Sequence, residues 1–326
     1  MQTLEFPSRA QSAERLTIVI PAYNEETGIG ATLVALAAEP RLAGATILVV
    51  DDGSTDNTAQ IARDHGASVV SARTNRGYGA SLKRGMRLAE TEYVAWFDAD
   101  GQHRPCDLAD MYQSIIKEKA EAVLGARSPE SHAVRRRALG KLIIHYAAES
   151  AIATRIPDVN CGLRVFRRST LNRYLHLLPN GFSASTTSTL VFLKRNHDVL
   201  FHSIIAPQRL GKSTVSQVRD GLRALHTILR ILVLFNALRT FTALSALFVT
   251  AGLAYGIPVA LMHGLGFPVL GALFVVLGIQ IFCLGVVCDQ ISALRLERLE
   301  RVTEDADPAT LEFERPRELW PRRRVA

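Results

Sequence analysis

The chain has 326 residues, enough for one sizeable domain with an appendage, and its formal net charge is +7. A basic balance fits nucleic acid, anionic lipid or phosphorylated compounds as partners, but the basic residues are not interleaved with aromatic residues, so we expect no nucleic-acid partner. The four cysteines form no C-x-x-C pair, which argues against a zinc site or a disulfide framework.

Short β-branched runs alternate with helical stretches over the first part of the chain. The pattern predicts strands at 16–20, 46–50, 68–70 and 93–97, and helices at 28–38, 56–65, 79–89 and 108–119. Alternation of this kind is typical of an α/β fold with a mainly parallel sheet. In such sheets, ligands bind beyond the carboxyl ends of the strands.

Polar clusters follow three of the predicted strands. They are Pro21-Ala22-Tyr23-Asn24-Glu25-Glu26, Asp51-Asp52-Gly53-Ser54 and Asp98-Ala99-Asp100-Gly101-Gln102. Two carboxylates that flank one residue supply hard oxygen ligands, which can hold a divalent cation against a diphosphate. One such cluster alone also fits an ordinary turn, and we expect Asp56 to be a helix N-cap. Three clusters at equivalent strand ends favour a nucleotide and metal site.

A long apolar span follows, because no Asp, Glu, Lys or Arg occurs from Thr240 to Cys288. A membrane helix needs about 20 apolar residues, so the span predicts two, at 241–262 and 269–292, joined by a turn that contains Gly264, Gly266 and Pro268. The alternative is a buried hairpin of a soluble domain, but soluble helices usually keep a polar face. Segments 132–155 and 217–239 are basic and apolar, and we expect each either at the membrane interface or packed on the core.

Arginines flank the apolar span on both sides: Arg219, Arg223, Arg230 and Arg239 before it, and Arg295, Arg298 and Arg301 after it. Positive flanks usually face the cytoplasm. We therefore expect a cytoplasmic domain at 1–215, a juxtamembrane amphipathic helix at 216–240, two transmembrane helices at 241–292 and a charged cytoplasmic tail at 293–326. Residues 1–15 are polar and do not look like a signal peptide.

The order of the three polar clusters resembles the family 2 glycosyltransferases with the GT-A fold, over residues 19–26, 50–56 and 98–100. Further motifs are similar to the polyprenyl-phosphate glycosyltransferases, which include dolichyl-phosphate mannose synthases and bacterial glucosyl carriers. These motifs are Gly125-Ala126-Arg127, Asp158 with Cys161-Gly162-Leu163-Arg164, and Arg209-Leu210-Gly211-Lys212-Ser213. Leu163 departs from the aromatic residue that is usual there, and Thr214 follows Ser213 where a lysine is usual after the serine.

The resemblance implies a Rossmann-like GT-A domain with a mainly parallel sheet, interfacial helices and a two-helix transmembrane hairpin. It also implies Mg²⁺ or Mn²⁺ as cofactor, with Asp98, Asp100 and Gln102 as the metal site, in which Asp100 and Gln102 are the direct ligands. The residues expected to bind the nucleotide are Pro21, Tyr23, Glu25, Asp52 and Asp98.

Four cations complete the expected catalytic set with Asp98 and Asp100: Arg127, Arg164, Arg209 and Lys212. Each suits a phosphate, although a surface ion pair is the commoner fate of a single arginine. A polyprenyl phosphate acceptor is already ionised at neutral pH, so it needs positioning rather than a general base. Asp158 is left open, because it fits a role in orienting Arg164, in binding the sugar or in capping a turn. His103 is expected to be a hydrogen-bonded neighbour of the metal motif.

The expected function is an inverting transfer of one sugar, with a UDP-hexose favoured, to an undecaprenyl-type phosphate, which makes a lipid-linked sugar for the cell envelope. The alternatives are a GDP-mannose-dependent mannose synthase, a membrane polysaccharide synthase and a non-catalytic scaffold. The expected partners are a nucleotide sugar, a polyprenyl phosphate, the membrane and further copies of the chain, a tetramer by resemblance. The expected location is the inner membrane.

Overall fold

A computed structural model describes residues 13–128, 131, 156–206, 217–264 and 266–304. The chain divides into two compact units, Met1–Phe235 and Asn236–Ala326. The predicted segment 132–155, the motif with Arg209 and Lys212, and the tail from residue 305 lie outside the described residues.

The first unit is built on one sheet, which has seven strands in the described residues. They are β1 Leu16–Ala22, β2 Thr46–Asp51, β3 Ser68–Ser71, β4 Tyr93–Trp96, β5 Ala122–Arg127, β6 Arg164–Arg167 and β7 Val199–Ile204. Their order is β3-β2-β1-β4-β6-β5-β7, and β6 runs antiparallel to both of its neighbours while the other pairs are parallel. The predicted mainly parallel sheet is confirmed.

Helices of the first unit alternate with the strands. They are α1 Ile29–Ala37, α2 Thr58–Asp64, α3 Tyr78–Leu88, α4 Pro105–Lys117, α5 Arg168–Tyr174 and α6 Ala184–Lys194. All residues of β1 and β4 are buried, as expected where helices cover both faces of a parallel sheet. Gly85 of α3 permits close packing, because a Cβ there would lie 2.3 Å from Cγ1 of Val19.

Two of the four predicted helix starts differ from the structure by more than one residue. Helix α4 begins at Pro105 rather than at 108, because proline fits the first helical position, where its missing N–H costs no hydrogen bond. Helix α2 has Asn57, not Asp56, at its N-cap position. Asp56 still caps the first turn, since its Oδ1 accepts a hydrogen bond from the Thr58 N–H at 3.1 Å. Its Oδ2 accepts a hydrogen bond from the Glu26 N–H of the first polar cluster at 3.3 Å.

Two long helices follow, α7 Gln217–His263 and α8 Val269–Glu304. Their segments Ala237–His263 and Val269–Leu294 are long and apolar enough to cross a membrane, which confirms the predicted pair of apolar helices. The predicted juxtamembrane helix is continuous with the first of them, because no glycine or proline interrupts the chain near residue 240. The first residues of the predicted tail are likewise helical, up to Glu304.

Glycines let the two apolar helices approach closely. A Cβ on Gly252 would lie 2.8 Å from the carbonyl oxygen of Gly271, and one on Gly256 would lie 2.2 Å from the Phe267 ring. Small residues at such crossings allow backbone packing that larger side chains prevent. The turn between the helices contains Gly264 and Gly266, with φ angles of 62° and 81°, as predicted for this position.

Candidate functional site

The three polar clusters meet at one edge of the sheet. Strands β2, β1 and β4 are neighbours and run parallel, so their carboxyl ends lie side by side. The first two clusters are joined directly: the Asn24 N–H donates to Ser54 Oγ at 2.9 Å, and the Thr55 N–H donates to Asn24 Oδ1 at 2.9 Å. Tyr23 is 42% exposed at this edge, which excludes the reading of Tyr23 as a core residue.

The third cluster is seated on helix α1. Thr32 donates its hydroxyl proton to the carbonyl oxygen of Ala99 at 3.1 Å, and a Cβ on Gly28 would lie 2.7 Å from the same oxygen. Gly101 has a φ angle of 73°, which turns the chain so that the Gln102 N–H donates to Asp100 Oδ1 at 3.1 Å. Asp100 is buried, and this hydrogen bond holds its carboxylate and the Gln102 backbone in one tight turn.

Asp52 anchors a loop. It is buried, and its two oxygens accept hydrogen bonds from the backbone N–H groups of Arg76 and Gly77 at 2.9 and 2.7 Å. The resemblance to the family implies that Asp52 binds the nucleotide. Each carboxylate oxygen has two lone pairs, so the loop contacts leave one acceptor position on each oxygen for such a contact.

Asp98 is held from two sides. Tyr78 donates its hydroxyl proton to Oδ1 at 2.9 Å, and Nε2 of His103 lies 3.1 Å from Oδ2. Burial, together with the neighbouring charge of Asp98, raises the pKa of Tyr78 well above its ordinary value, so the phenol remains a donor. His103 is the hydrogen-bonded neighbour that the sequence analysis predicted, whereas Tyr78 was missed because it lies twenty residues before Asp98.

An exposed aromatic ring covers Tyr78. Phe182 is 76% exposed and stacks on the Tyr78 ring with centroids 5.2 Å apart. Gly77 and Gly79 allow the loop before α6 to come this close, because a Cβ on Gly79 would lie 2.1 Å from the Pro179 carbonyl oxygen. Sequence analysis also missed Phe182, and the only local signal was the Gly181-Phe182 pair before a helix.

Arg127 reaches the same edge of the sheet, at the end of β5. Its Nε and Nη2 donate to the two carboxylate oxygens of Asp158 at 2.6 and 3.0 Å. Burial would raise the pKa of Asp158, but the hydrogen bonds and charge of Arg127 outweigh it and hold that pKa below its usual value. Asp158 also accepts the Asn160 N–H at 2.9 Å, so it caps a turn while it pairs with Arg127 rather than Arg164.

Arg164, which was expected to contact a phosphate, is fully buried at 0% exposure. Its guanidinium donates to the carbonyl oxygens of Cys161 and Val159 at 2.7 and 3.1 Å. It also donates to the hydroxyls of Ser188 and Thr189 on α6 at 3.1 and 2.7 Å. Burial lowers the pKa of Arg164, yet an arginine remains charged at neutral pH.

The loop that Arg164 holds lies against the Asp98 carboxylate. A Cβ on Gly162 would stand 2.2 Å from Asp98 Oδ2 and 3.1 Å from His103 Nε2, so only glycine fits there. Arg164 therefore positions the backbone that packs on Asp98. Predicted site residues Arg209 and Lys212 lie outside the described residues, whereas Pro21 and Glu25 lie at the first strand end with Tyr23.

Comparison with known protein families identifies both parts of the chain. Residues 17–175 match the model of the glycosyl transferase family 2, and residues 237–294 match that of the GtrB C-terminal hairpin. The hairpin match and the two apolar helices indicate a membrane-anchored protein.

Several curated proteins are similar to this chain. An uncharacterised protein of Methanocaldococcus jannaschii is 29% identical over 191 residues, which cover 56% of this chain and 77% of that protein. An uncharacterised glycosyltransferase of Mycobacterium tuberculosis is 39% identical over 118 residues, 36% of this chain and 51% of that protein. The undecaprenyl-phosphate 4-deoxy-4-formamido-L-arabinose transferase of Pseudomonas fluorescens is 29% identical over 193 residues, and the match covers 54% of this chain and 56% of that enzyme. The chain thus spans only about half the length of the last two.

Solved structures share the fold. Glucosyl-3-phosphoglycerate synthase of Mycobacterium tuberculosis, in complex with Mn²⁺, UDP and its product, superposes with a TM-score of 0.55 at 18% identity and covers 67% of this chain and 78% of its own. Mannosyl-3-phosphoglycerate synthase of Rubrobacter xylanophilus has a TM-score of 0.52 at 20% identity, over 68% of this chain and 76% of its own. The family matches, with strand-end clusters at one edge of a GT-A sheet, show that the chain carries a glycosyltransferase family 2 domain followed by a GtrB C-terminal hairpin.

Proposed function

We propose that this protein transfers one sugar from a nucleotide-diphosphate sugar to a polyprenyl phosphate. The observation that carries the proposal is the meeting of three polar clusters, with Asp52, Asp98 and Asp100, at the carboxyl edge of a mainly parallel sheet. The exposed Tyr23 beside the Asp52 loop supports a nucleoside contact at this edge. The similarity to an undecaprenyl-phosphate sugar transferase supports the lipid acceptor.

The turn from Asp98 to Gln102 fits a divalent metal ion. The side-chain oxygens of Asp100 and Gln102 are hard ligands that suit Mg²⁺ or Mn²⁺, and the hydrogen bond from the Gln102 backbone N–H to the buried Asp100 carboxylate holds the two residues in one turn. When bound, such an ion stabilises the negative charge of the leaving diphosphate. By resemblance Asp100 and Gln102 are the direct ligands, and Asp98, which Tyr78 and His103 hold in place, lies beside them.

The acceptor needs no general base, because a phosphomonoester with a second pKa of about 6 is largely dianionic at neutral pH. What it needs is a cation that is not buried. Arg127 meets this need, because its side chain is 32% exposed and Asp158 engages only Nε and Nη2, so that Nη1 donates to none of the described side chains. Arg209 and Lys212 complete the proposed acceptor site from their motif. In-line attack by the phosphate oxygen inverts the anomeric carbon.

The location is part of the proposal. Arginines on both flanks of the apolar hairpin, and none within its turn, support a cytoplasmic catalytic unit at the inner membrane, with the acceptor phosphate at the cytoplasmic surface. Protease accessibility in spheroplasts and in inverted vesicles tests this. A catalytic unit that is cleaved in intact spheroplasts would reverse the orientation.

A donor panel tests the function. The full chain, purified in detergent, is incubated with undecaprenyl phosphate, Mn²⁺ or Mg²⁺ and each of several UDP- and GDP-sugars, and lipid products are identified by mass spectrometry. We expect one UDP-hexose to give a monosaccharide lipid in a metal-dependent reaction. Its anomeric configuration, determined by NMR, should be inverted relative to the donor. Product from GDP-mannose alone would establish the mannose-synthase alternative, and repeated addition would establish a polysaccharide synthase. No product from any donor would refute the proposal.

A further inference from the structure

A second group of metal-ligating side chains lies away from the Asp98–Gln102 turn. Asp107 and Asp110 stand three residues apart on α4, so they share one face of the helix, and His202 lies on β7. One ligand atom from each of the three lies within 4.8 Å of the other two. Ninety-five residues separate His202 from Asp107 in the sequence, so only the packing of α4 against the sheet brings them together.

The position of His202 is unusual for the face of the sheet on which it stands. Strand residues two apart share a face, and the neighbours of His202 on that face are Leu200 and Ile204, which pack into the apolar core beside α4. An imidazole therefore occupies a position that the pattern of the strand would give to an aliphatic side chain. His202 faces the two carboxylates of α4 from there.

A buried carboxylate oxygen is an independent sign of a ligand. Asp107 is only 8% exposed, and among the described residues its Oδ2 has no hydrogen-bond partner. Its Oδ1 is 3.9 Å from the thiol of Cys106, a weak contact. A buried carboxylate without partners costs free energy unless it is protonated or binds a cation. Burial raises the pKa of Asp107, while the nearby charges of Arg104 and His202 oppose that shift.

The charges around Asp107, Asp110 and His202 permit one divalent ion to bind there. Asp110 is also paired with Arg41, but Arg41 has other acceptors, because its Nε donates to Glu39 Oε1 at 2.8 Å and its Nη2 donates to the Cys106 carbonyl oxygen at 3.4 Å. An ion that takes one oxygen of Asp110 therefore does not leave the guanidinium without partners. The two carboxylates supply the negative charge that a divalent ion needs, and the neighbouring Arg41 and Arg104 offset part of it.

We propose that Asp107, Asp110 and His202 form a second divalent-cation site, which takes Mn²⁺ or Zn²⁺ and fastens the first turn of α4 to β7. Imidazole with two carboxylates suits these ions better than Mg²⁺, which prefers an octahedron of oxygens. Ligands bound at about 2.1 Å stand at most about 4.2 Å apart, so small side-chain rotations suffice to close the group around an ion. Because α4 begins three residues after Gln102, the ion would also steady the end of the Asp98–Gln102 turn.

Metal binding to the full chain in detergent tests this site without reference to sugar transfer. The test is made in the Asp100→Asn background, which silences the other candidate site, after removal of metal by a chelator and with no nucleotide present. Free Mn²⁺ is counted by its EPR signal. We expect one bound Mn²⁺ in this background, and His202→Gln and Asp110→Asn should each weaken its binding by about tenfold or more. Glu118→Gln, which removes an exposed carboxylate at the far end of α4, is the matched control and should bind as before.

A stability measurement separates a ligand from a merely structural carboxylate. Without metal, Asp107→Asn should unfold at the same or a higher temperature than its parent, because an unpartnered buried charge is removed. Added Zn²⁺ or Mn²⁺ should raise the unfolding temperature of the parent but not that of Asp107→Asn. Absence of bound Mn²⁺ in the Asp100→Asn protein, or undiminished binding by His202→Gln, would overturn the proposal, whatever the outcome of the donor panel.

Discussion

Asp100 and Arg164 belong to opposite halves of the candidate site, and their surroundings differ in how far the sequence predicts them. The half formed by β1, β2 and β4 brings its predicted residues together at one edge, because parallel neighbours must end side by side. In the other half, built from β5, β6 and the loop before β6, one predicted cation is paired with Asp158 and another is fully buried. Position at a strand end follows from the fold, whereas the partner of a charged side chain depends on every element that packs around it.

The largest effect on sugar transfer is expected from a substitution in the half of the site formed by β1, β2 and β4. Asp100→Asn keeps the shape of the turn but removes the charge that would hold a metal ion, so we expect sugar transfer to fall by about a thousandfold, equivalent to roughly 4 kcal/mol of transition-state stabilisation. Product formation at saturating donor measures it. Asp64→Asn, an exposed substitution on α2, is the control and should keep full activity. Full activity in Asp100→Asn would remove this residue from the metal site.

The second effect sharpens the contrast between the two arginines. Arg164→Met leaves two carbonyls and two hydroxyls without their buried donor, so it should lower the free energy of unfolding by about 3–5 kcal/mol. Arg127→Met removes one partner of a part-buried ion pair and should cost less, about 1–3 kcal/mol. Chemical unfolding of the two variants compares them. Equal losses of unfolding free energy would mean that the buried Arg164 stabilises the fold no more than the partly exposed Arg127 does.

A third measurement uses Tyr78, which links the exposed Phe182 to Asp98. Tyr78→Phe removes a hydrogen bond to a carboxylate, so we expect turnover to fall by about tenfold or somewhat more while the ring stack remains. Tyr112→Phe is the matched control, because the hydroxyl of Tyr112 is buried and has no partner among the described residues. An equal loss of turnover in both variants would show that the hydrogen bond from Tyr78 to Asp98 does not support sugar transfer.

The smallest expected effect is the pH dependence of the Arg127–Asp158 pair. The folded protein holds the pKa of Asp158 below its unfolded value, so the pair stabilises the fold above the usual carboxyl pKa of about 4 and loses that contribution as the pH falls through the folded pKa. The difference in unfolding free energy between the parent and Asp158→Asn should therefore shrink in acid. A difference that stays constant from neutral pH to acid would contradict the assignment.

Most of the fold in residues 13–117 was readable from the sequence. Each apolar run that was predicted as a strand is one, because short β-branched runs bounded by turn residues favour strands. The strands β5, β6 and β7 were not predicted as elements, and the reversal of β6 has no local signal. The boundary drawn near residue 240 falls within a single helix, because α7 runs without interruption from Gln217 to His263.

The sequence by itself determined the family, the parallel half of the sheet, the cluster at Asp98, Asp100 and Gln102, and the apolar hairpin. These follow from local patterns, namely apolar periodicity, strand-end motifs and a span without charge. Tertiary structure alone decided which charged groups bind partners inside the protein. Arg164 donates to carbonyls of the loop before β6 and to hydroxyls of α6, and Asp158 pairs with Arg127. It also brought His202 to Asp107 and Asp110. The physical reason is that burial and pairing depend on residues distant in the sequence, whose approach is set only when helices pack on the sheet.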